Sequence, residues 1–238
     1  MLKLASSLLL LVSSAALQAG EFDRPWANAG AALILDPYAG NFIDWDALGK
    51  DARVKAIIHK STVGTTRIDN TYFERKAKAK ERGYLWGSYH WGVAGNPVQQ
   101  ADHYIDTVKP ADDELIALDL EDVHSSTLMN ADEALLFIKR VKERTGRYPL
   151  LYTNQDGAKY ISQKLPDEAF KQSPLWYARF KAKVTDFPKG VWKTYALWQF
   201  SSEILPQVPV SGTRKDMDIN VYNGSVEELK AAWPLTRK

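Results

Sequence analysis

The sequence predicts an α/β protein, a single TIM-like β/α barrel with eight parallel strands and fewer helices than strands. Short segments rich in apolar, β-branched and aromatic residues alternate with helical segments along the 238 residues, as in folds built on a parallel sheet. The chain contains neither an internal repeat nor a low-complexity linker. One domain is therefore expected.

Eight segments have the composition of strands. Several are apolar on both faces, as expected of buried parallel strands rather than surface hairpins. In chain order they are AALILD (31–36), VKAIIHK (54–60), YLWGSYHW (84–91), ELIALDLE (114–121), PLLYT (149–153), PLWYA (174–178), TYALWQF (194–200) and MDINVY (217–222).

Helical segments between the strands are marked by their ends. In one of them Asn130 is followed three residues later by Glu133, and the segment stops at Gly146. This is a capping box with a glycine C-terminus. Connections after the sixth strand are rich in proline and lysine and predict no full helix. The four predicted helices cover residues 70–83, 96–108, 130–146 and 225–233.

Composition excludes several classes of function. The formal net charge is +2, too balanced to indicate a nucleic-acid partner. The most basic stretch, 75–83, is interpreted as the solvated face of a helix. The chain contains no cysteine, which excludes disulfides, a thiolate nucleophile and cysteine-ligated metal.

The N-terminal segment predicts export. Residues 1–19 contain one lysine, an apolar run and a small-residue end, which together predict a signal peptide cleaved after Ala19. Residues 20–238 would then form the catalytic domain, with no stable membrane span after cleavage. The protein is expected to be periplasmic or secreted, and an exported chain without disulfides favours a bacterial source.

Acidic side chains lie at the ends of three predicted strands. Asp36 ends the first strand, Asp119 and Glu121 end the fourth, and Asp218 belongs to the eighth. Active sites of parallel barrels are built at the C-terminal ends of their strands. These four carboxylates are therefore expected to gather at one mouth of the barrel as catalytic residues.

Asp119 and Glu121 form a D-x-E pair. Side chains alternate along a strand, so both carboxylates face the same side. Like charges this close do not both ionise readily, and the pair is expected to share a proton over some pH range. Glu121, the outer member, is expected to be the general acid, with Asp119 beneath it tuning and orienting it.

Aromatic and amide side chains occupy the same strand ends. Aromatic rings in a cleft suit the C–H faces of sugars, so a substrate-binding wall is predicted there. The candidate substrate-binding residues are Tyr89, Trp91, Tyr152, Trp176, Trp198 and Gln199.

An ordered set of short motifs runs along the chain after Asp36. They are IDW (43–45), GTTRIDNTYF (64–73), GSYHW (87–91), LDLE (118–121), LLYTN (150–154), LWYA (175–178), LWQF (197–200) and MDINVYNG (217–224). Their order and spacing are specific together. From about Ala31 to Gly224 the chain resembles glycoside hydrolase family 25, the Chalaropsis-type lysozymes.

The resemblance implies a flattened eight-stranded barrel that cleaves the β-1,4 bond between N-acetylmuramic acid and N-acetylglucosamine in peptidoglycan. It implies no metal or organic cofactor. Glu121 takes the position of the family's general acid/base, and Asp119, Asp36 and Asp218 match its other acidic positions. The substrate's own acetamido group is a proposed nucleophile in that family. The segment DPYAGNF (36–42) departs from the usual pattern, which has valine and serine after the aspartate.

Other functions are alternatives at this point. A chitinase-like glycosidase would have a further aspartate at position 117, where the chain has Ala117. A metal-dependent deacetylase would need clustered ligands, whereas the four histidines are scattered. A non-catalytic peptidoglycan-binding barrel is the alternative outside the enzymes. The protein is expected to be a monomer whose partner is the glycan strand of peptidoglycan.

Overall fold

The computed structural model describes residues 22–203, 205 and 208–236. The predicted signal peptide, residues 1–19, lies outside this part. The strands are β1 (Phe22–Asp23), β2 (Ala31–Leu35), β3 (Val54–Val63), β4 (Arg67–Ile68), β5 (Leu85–Trp91), β6 (Leu115–Leu120), β7 (Leu150–Asn154), β8 (Leu175–Ala178), β9 (Lys183–Val184), β10 (Leu197–Ser201) and β11 (Ile219–Ser225). The α-helices are α1 (Trp45–Leu48), α2 (Tyr72–Glu81), α3 (Pro97–Val108), α4 (Ala131–Thr145), α5 (Gln155–Lys164), α6 (Glu168–Gln172) and α7 (Val226–Ala232).

The eight predicted strand segments close into one barrel, as the sequence predicts. The strands pair in the order β2, β11, β10, β8, β7, β6, β5 and β3, and a further pairing between β2 and β3 closes the ring. Outside the ring, β4 forms a hairpin with β3, and β1 pairs with β9 in a separate two-stranded sheet. The barrel has more strands than the described residues have α-helices.

The last barrel strand departs from the all-parallel prediction. β11 runs antiparallel to both of its neighbours, β10 and β2. A parallel pair requires a crossover connection, usually a helix, and the described part of the connection from β10 to β11 contains none. The chain therefore returns in the opposite direction, and Asp218 precedes its strand instead of ending it.

The four predicted helices are present as α2, α3, α4 and α7. The predicted capping box at Asn130 is formed, and Ser225 and Glu228 form another at the start of α7. Helices α5 and α6, between β7 and β8, were not predicted. Gly157 lies near the start of α5, and a Cβ there would be 2.1 Å from Thr153 Oγ1. The close contact with Thr153 therefore favours glycine at this position. Glycine has a low helix propensity, so it weakens the helix signal in the sequence.

Side chains of the barrel strands alternate between two cores, as period-two strands require. The outward-facing residues pack against the helices, with Leu118 and Leu120 of β6 among them. The inward-facing residues form a separate core that includes Leu115 and Ala117 of β6. Leu229 of α7 and the following Trp233 belong to this inner core. The interior of the barrel is thus a packed core.

Candidate active site

A small cavity of about 40 Å³ opens at the mouth of the barrel, above the inner core. It is lined by eight side chains, all of them named by the sequence as candidates. They are Asp36, Tyr89, Asp119, Glu121, Tyr152, Trp176, Gln199 and Asp218. The structure therefore brings the four predicted carboxylates together with four of the six predicted substrate-binding residues.

The alternation of β6 brings Asp119 into the cavity. Asp119 follows Leu115 and Ala117 on the inward face, and Glu121 continues the same spacing just beyond the strand. Neighbouring strands place Trp91 and Tyr152 level with Asp119. Asn154 Nδ2 donates to the Glu121 carbonyl at 2.9 Å. Strand pairing at Asp119 and this hydrogen bond at Glu121 therefore hold the main chain of both residues in place.

Asp36 is buried at the base of the cavity within a hydrogen-bonded network. Gln199 Nε2 donates to Asp36 Oδ2 at 2.7 Å, and Asn220 Nδ2 donates to Asp36 Oδ1 at 2.7 Å. Tyr152 Oη donates in turn to Gln199 Oε1 at 2.8 Å, and Trp176 Nε1 to Asn220 Oδ1 at 2.5 Å. Both oxygens of Asp36 thus have fixed partners that orient the carboxyl group.

Asp36 nevertheless resists ionisation. Burial raises its pKa well above the ordinary value, and the neighbouring Asp218 raises it further, while the bonds from Asn220 and Gln199 act in the opposite direction. Desolvation disfavours the charged form of any carboxyl group, and a second carboxylate nearby adds repulsion.

Asp119 and Glu121 have different surroundings although they share one face. Asp119 is buried, and its Oδ1 has no hydrogen-bond partner among the residues that the structure describes. Burial raises the pKa of Asp119 well above its ordinary value, and the charge of Glu121 adds to this. Glu121 is half-buried, and burial raises its pKa too. Lys60 opposes the shift at both groups.

Asp218 completes the set from the opposite wall. Burial and, to a smaller extent, the charges of Glu121, Glu203 and Asp216 together raise its pKa to about 7. The Asp218 carbonyl accepts from the Asp36 N–H at 3.3 Å, which ties β2 to the start of β11. The cavity therefore holds four carboxyl groups that ionise less readily than exposed ones, and it can keep a proton near neutral pH.

The aromatic residues at the mouth form a floor more than an open wall. Tyr89 and Tyr152 each meet Trp176 edge to face, with ring centres 6.0 and 5.1 Å apart. All three rings are buried. The three rings therefore limit the depth of the cavity.

Two of the predicted substrate-binding residues lie elsewhere. Trp198 faces away from the cavity because it alternates with Gln199 on β10; its Nε1 donates to the Arg179 carbonyl at 2.7 Å, and its ring packs on Trp26. The prediction for Trp198 is corrected, since a one-residue step along a strand reverses the face. Trp91 lies at the rim, outside the lining of the cavity, with Lys60 over its ring.

Lys60 is a site residue that was not predicted from the sequence. It is the next inward-facing residue after Ala56 and Ile58 on β3, so the alternation of the strand could have revealed it. The strand continues to Val63, three residues beyond the prediction. His59, by contrast, faces outward and is fully buried between β3 and α2.

In the described part of the chain, no group of three or more histidine and acidic side chains is arranged to hold a metal ion. The same residues contain no helix long and apolar enough to cross a membrane.

The region that contains these site residues also matches a known protein family. The family model for glycosyl hydrolases family 25 matches residues 36–207, more than half of the chain.

Individual relatives agree with this match. The uncharacterized protein YegX of Escherichia coli O157:H7 is 30% identical over 201 residues, which cover 79% of this chain and 68% of YegX. Lysozyme M1 of Streptomyces globisporus is 26% identical over 202 residues, covering 79% of this chain and 66% of that lysozyme. The crystal structure of a lysozyme from Streptomyces coelicolor superposes with a TM-score of 0.70 at 24% identity, covering 86% and 97% of the two chains. The likeness to that structure concerns the fold.

Proposed function

The chain belongs to glycosyl hydrolases family 25, and from this premise we propose that it is a lysozyme whose general acid/base is Glu121. It is a glycoside hydrolase that acts on peptidoglycan. The bond cleaved is the β-1,4 link between N-acetylmuramic acid and N-acetylglucosamine.

The observation that carries this proposal is the group of four carboxyl residues around one small cavity. Hydrolysis of a glycosidic bond needs a proton for the leaving oxygen and a group that supports developing positive charge. Glu121 has a raised pKa and is the more exposed member of the D-x-E pair. It can therefore arrive protonated and still reach a substrate.

The other three carboxyl groups have supporting roles in this mechanism. Asp119 is buried beneath Glu121 and keeps its own proton, because burial and the charge of Glu121 raise the pKa of Asp119 well above the ordinary value. Asp36 directly follows β2 and Asp218 directly precedes β11 on the opposite wall, so the scissile bond would lie between the two walls. From there Asp218, which is half-buried, can orient the acetamido group of the substrate, and Asp36 supports it from below.

The remaining candidates bind the sugar. Gln199 holds Asp36 and lines the cavity, so its amide can also meet a sugar hydroxyl. Tyr89, Tyr152 and Trp176 set the depth to which a ring can enter, and Trp91 offers an aromatic face at the rim. We assign them to the substrate-binding surface on this basis.

Export is part of the proposal because peptidoglycan lies outside the cytoplasm. Residues 1–19 would act as a cleaved signal peptide, and residues 20–238 as a monomeric catalytic domain in the periplasm or outside the cell. Neither a metal nor an organic cofactor takes part in the mechanism proposed.

The test is digestion of purified peptidoglycan by the purified protein. The new reducing ends are converted to sugar alcohols and identified, while the turbidity of the suspension is followed. The proposal expects clearing of the suspension and muramitol at the new ends. Glucosaminitol would indicate a different bond specificity, and sedimentation with the wall without new ends would indicate a non-catalytic binding barrel.

A further inference from the structure

Three side chains form a stack at the rim of the cavity. The Lys60 ammonium lies 4.8 Å from the centre of the Tyr38 ring and 4.2 Å from the centre of the Trp91 ring. A cation is attracted to the face of each ring. Lys60 is half-buried, and the charges of Asp119 and Glu121 act on it. The stack therefore holds a positive charge next to the D-x-E pair.

The loop of Tyr38 is fixed from several sides. The Tyr38 N–H donates to Asn41 Oδ1 at 2.8 Å, and its carbonyl accepts from Arg75 Nη1 at 2.8 Å. The Lys60 N–H donates to the carbonyl of Pro37 at 2.9 Å, so the two segments are joined directly. The Tyr38 ring folds back over Gly40, where a Cβ would lie 2.5 Å from the ring.

We infer that Tyr38 is a positioning residue, which together with Trp91 holds the Lys60 ammonium beside Asp119 and Glu121 as their counter-charge. The inference rests on the proposed function, because it concerns the proton on Glu121. A lysine side chain has four flexible carbons and a strongly hydrated head. Without the ring of Tyr38, it would turn towards the solvent for more of the time.

Several charged groups surround this stack. Those that act on Lys60 come from the segment around β4 and from the end of β6, and they are Arg67, Asp69, Asp119 and Glu121. Those that act on the D-x-E pair from other barrel strands or from residues next to them are Asp36, Asp218, Tyr89 and Tyr152. Lys60 lowers the pKa of both members of the pair against this acidic background. Loss of its charge would therefore raise both pKa values.

The test is a pH profile of wall digestion for the wild type and four variants. K60M removes the charge, Y38S removes the ring, and Y38F keeps the ring without its hydroxyl. Y148S is the matched control, because Lys142 lies 5.0 Å from the Tyr148 ring in a similar stack at the end of α4. Thermal melting verifies folding, and Y38L replaces Y38S if that variant is unfolded.

The expected result is a displacement of the high-pH limb, where Glu121 loses its proton. K60M should move this limb upward by about one pH unit, the scale for losing an opposite charge nearby. Y38S should move it in the same direction by less, whereas Y38F and Y148S should coincide with the wild type. If K60M moves the limb and Y38S does not, or if neither moves it, the inference is wrong. A higher KM in Y38S with unmoved limbs would make Tyr38 a sugar contact instead.

A second readout needs no turnover and separates this inference from the proposed function. The Glu121 carboxyl group is labelled with carbon-13 and titrated by NMR in the wild type, K60M, Y38S and Y38F. An upward shift of the Glu121 midpoint in K60M and in Y38S, but not in Y38F, would support the positioning role. This holds even if the wild type fails to digest peptidoglycan. Identical titrations in all four proteins would overturn it.

Discussion

On β6 the inward-facing side chains change from Leu115 and Ala117 at one end to Asp119 at the other, with Glu121 just beyond. The two ends are set by the same alternation, but they differ in what burial does. At the lower end, burial removes apolar surface from water and stabilises the barrel. At the mouth, burial opposes the ionisation of carboxyl groups and so supplies a proton for catalysis. The inner core thus stabilises the barrel, whereas the buried carboxyl groups at the mouth lower its stability.

The largest effect is expected at the outer carboxyl group of the mouth. E121Q is nearly isosteric but cannot donate a proton, so wall digestion should fall by about a hundredfold to ten-thousandfold. The matched control is D122N, which changes the exposed carboxyl group of the next residue. Glu121 is not the general acid if E121Q keeps more than about a tenth of wild-type activity. The same holds if D122N loses as much activity as E121Q.

The lower end should show the opposite behaviour. L115A removes a fully buried side chain of the inner core, and such changes cost about 2–5 kcal/mol of unfolding free energy. Turnover per folded molecule should stay near the wild-type value. Denaturant unfolding and active-site-normalised rates measure both quantities. A stable L115A variant would mean that this layer can collapse around the gap, and a loss of turnover would mean that the two ends are coupled.

A carboxyl group of the mouth should be removable with a gain in stability. The pKa of Asp218 is about 7 in the folded protein against an ordinary 3.8. Between these values the folded state keeps a proton that the unfolded chain has released, so stability decreases as the pH rises through this window. D218N removes this penalty and should lower turnover.

The expected gain for D218N is about 1–2 kcal/mol at pH 8 and close to zero at pH 4. A full shift of this size would correspond to about 4 kcal/mol, but Asp218 is partly exposed and solvent screening reduces the effect. Chemical unfolding of the wild type and the variant at both pH values measures the difference. A variant that is less stable than the wild type at pH 8 would contradict a pKa raised by burial.

The smallest effect is expected at Trp198, which lies outside the inner face. W198F loses the hydrogen bond to the Arg179 carbonyl, worth about 1 kcal/mol, and leaves a gap in the outer core that lowers stability further. KM and kcat should both stay within a factor of about two, since Trp198 does not line the cavity. A rise in KM without a change in stability would return Trp198 to the substrate-binding surface.

Trp198 shows which features of the site could be predicted from the sequence and which could not. Strand segments and the four carboxylates were predictable, because apolar runs and the D-x-E spacing are local signals. The direction in which each side chain of a strand points depends on register, and adjacent residues such as Trp198 and Gln199 face opposite sides. The reversal of β11 was not predictable from its own residues, because it follows from the connection before it.

The rim of the cavity depends on contacts between distant segments. Tyr38 and Lys60 are 22 positions apart in the chain and meet only when β2 pairs with β3. Helix α5 was missed for a related reason, because Gly157 is required by its approach to Thr153 and not by the helix itself. Local propensity is a weak guide where tertiary contacts decide the residue.

Burial at the mouth should keep the Glu121 carboxyl group protonated above the pH at which an exposed glutamate ionises. NMR titration of carbon-13-labelled glutamate carboxyl groups, with E121Q to assign the resonance, gives the midpoint for Glu121. We expect a midpoint clearly above 4.5, the ordinary value. A midpoint at or below 4.5 would contradict a pKa raised by burial.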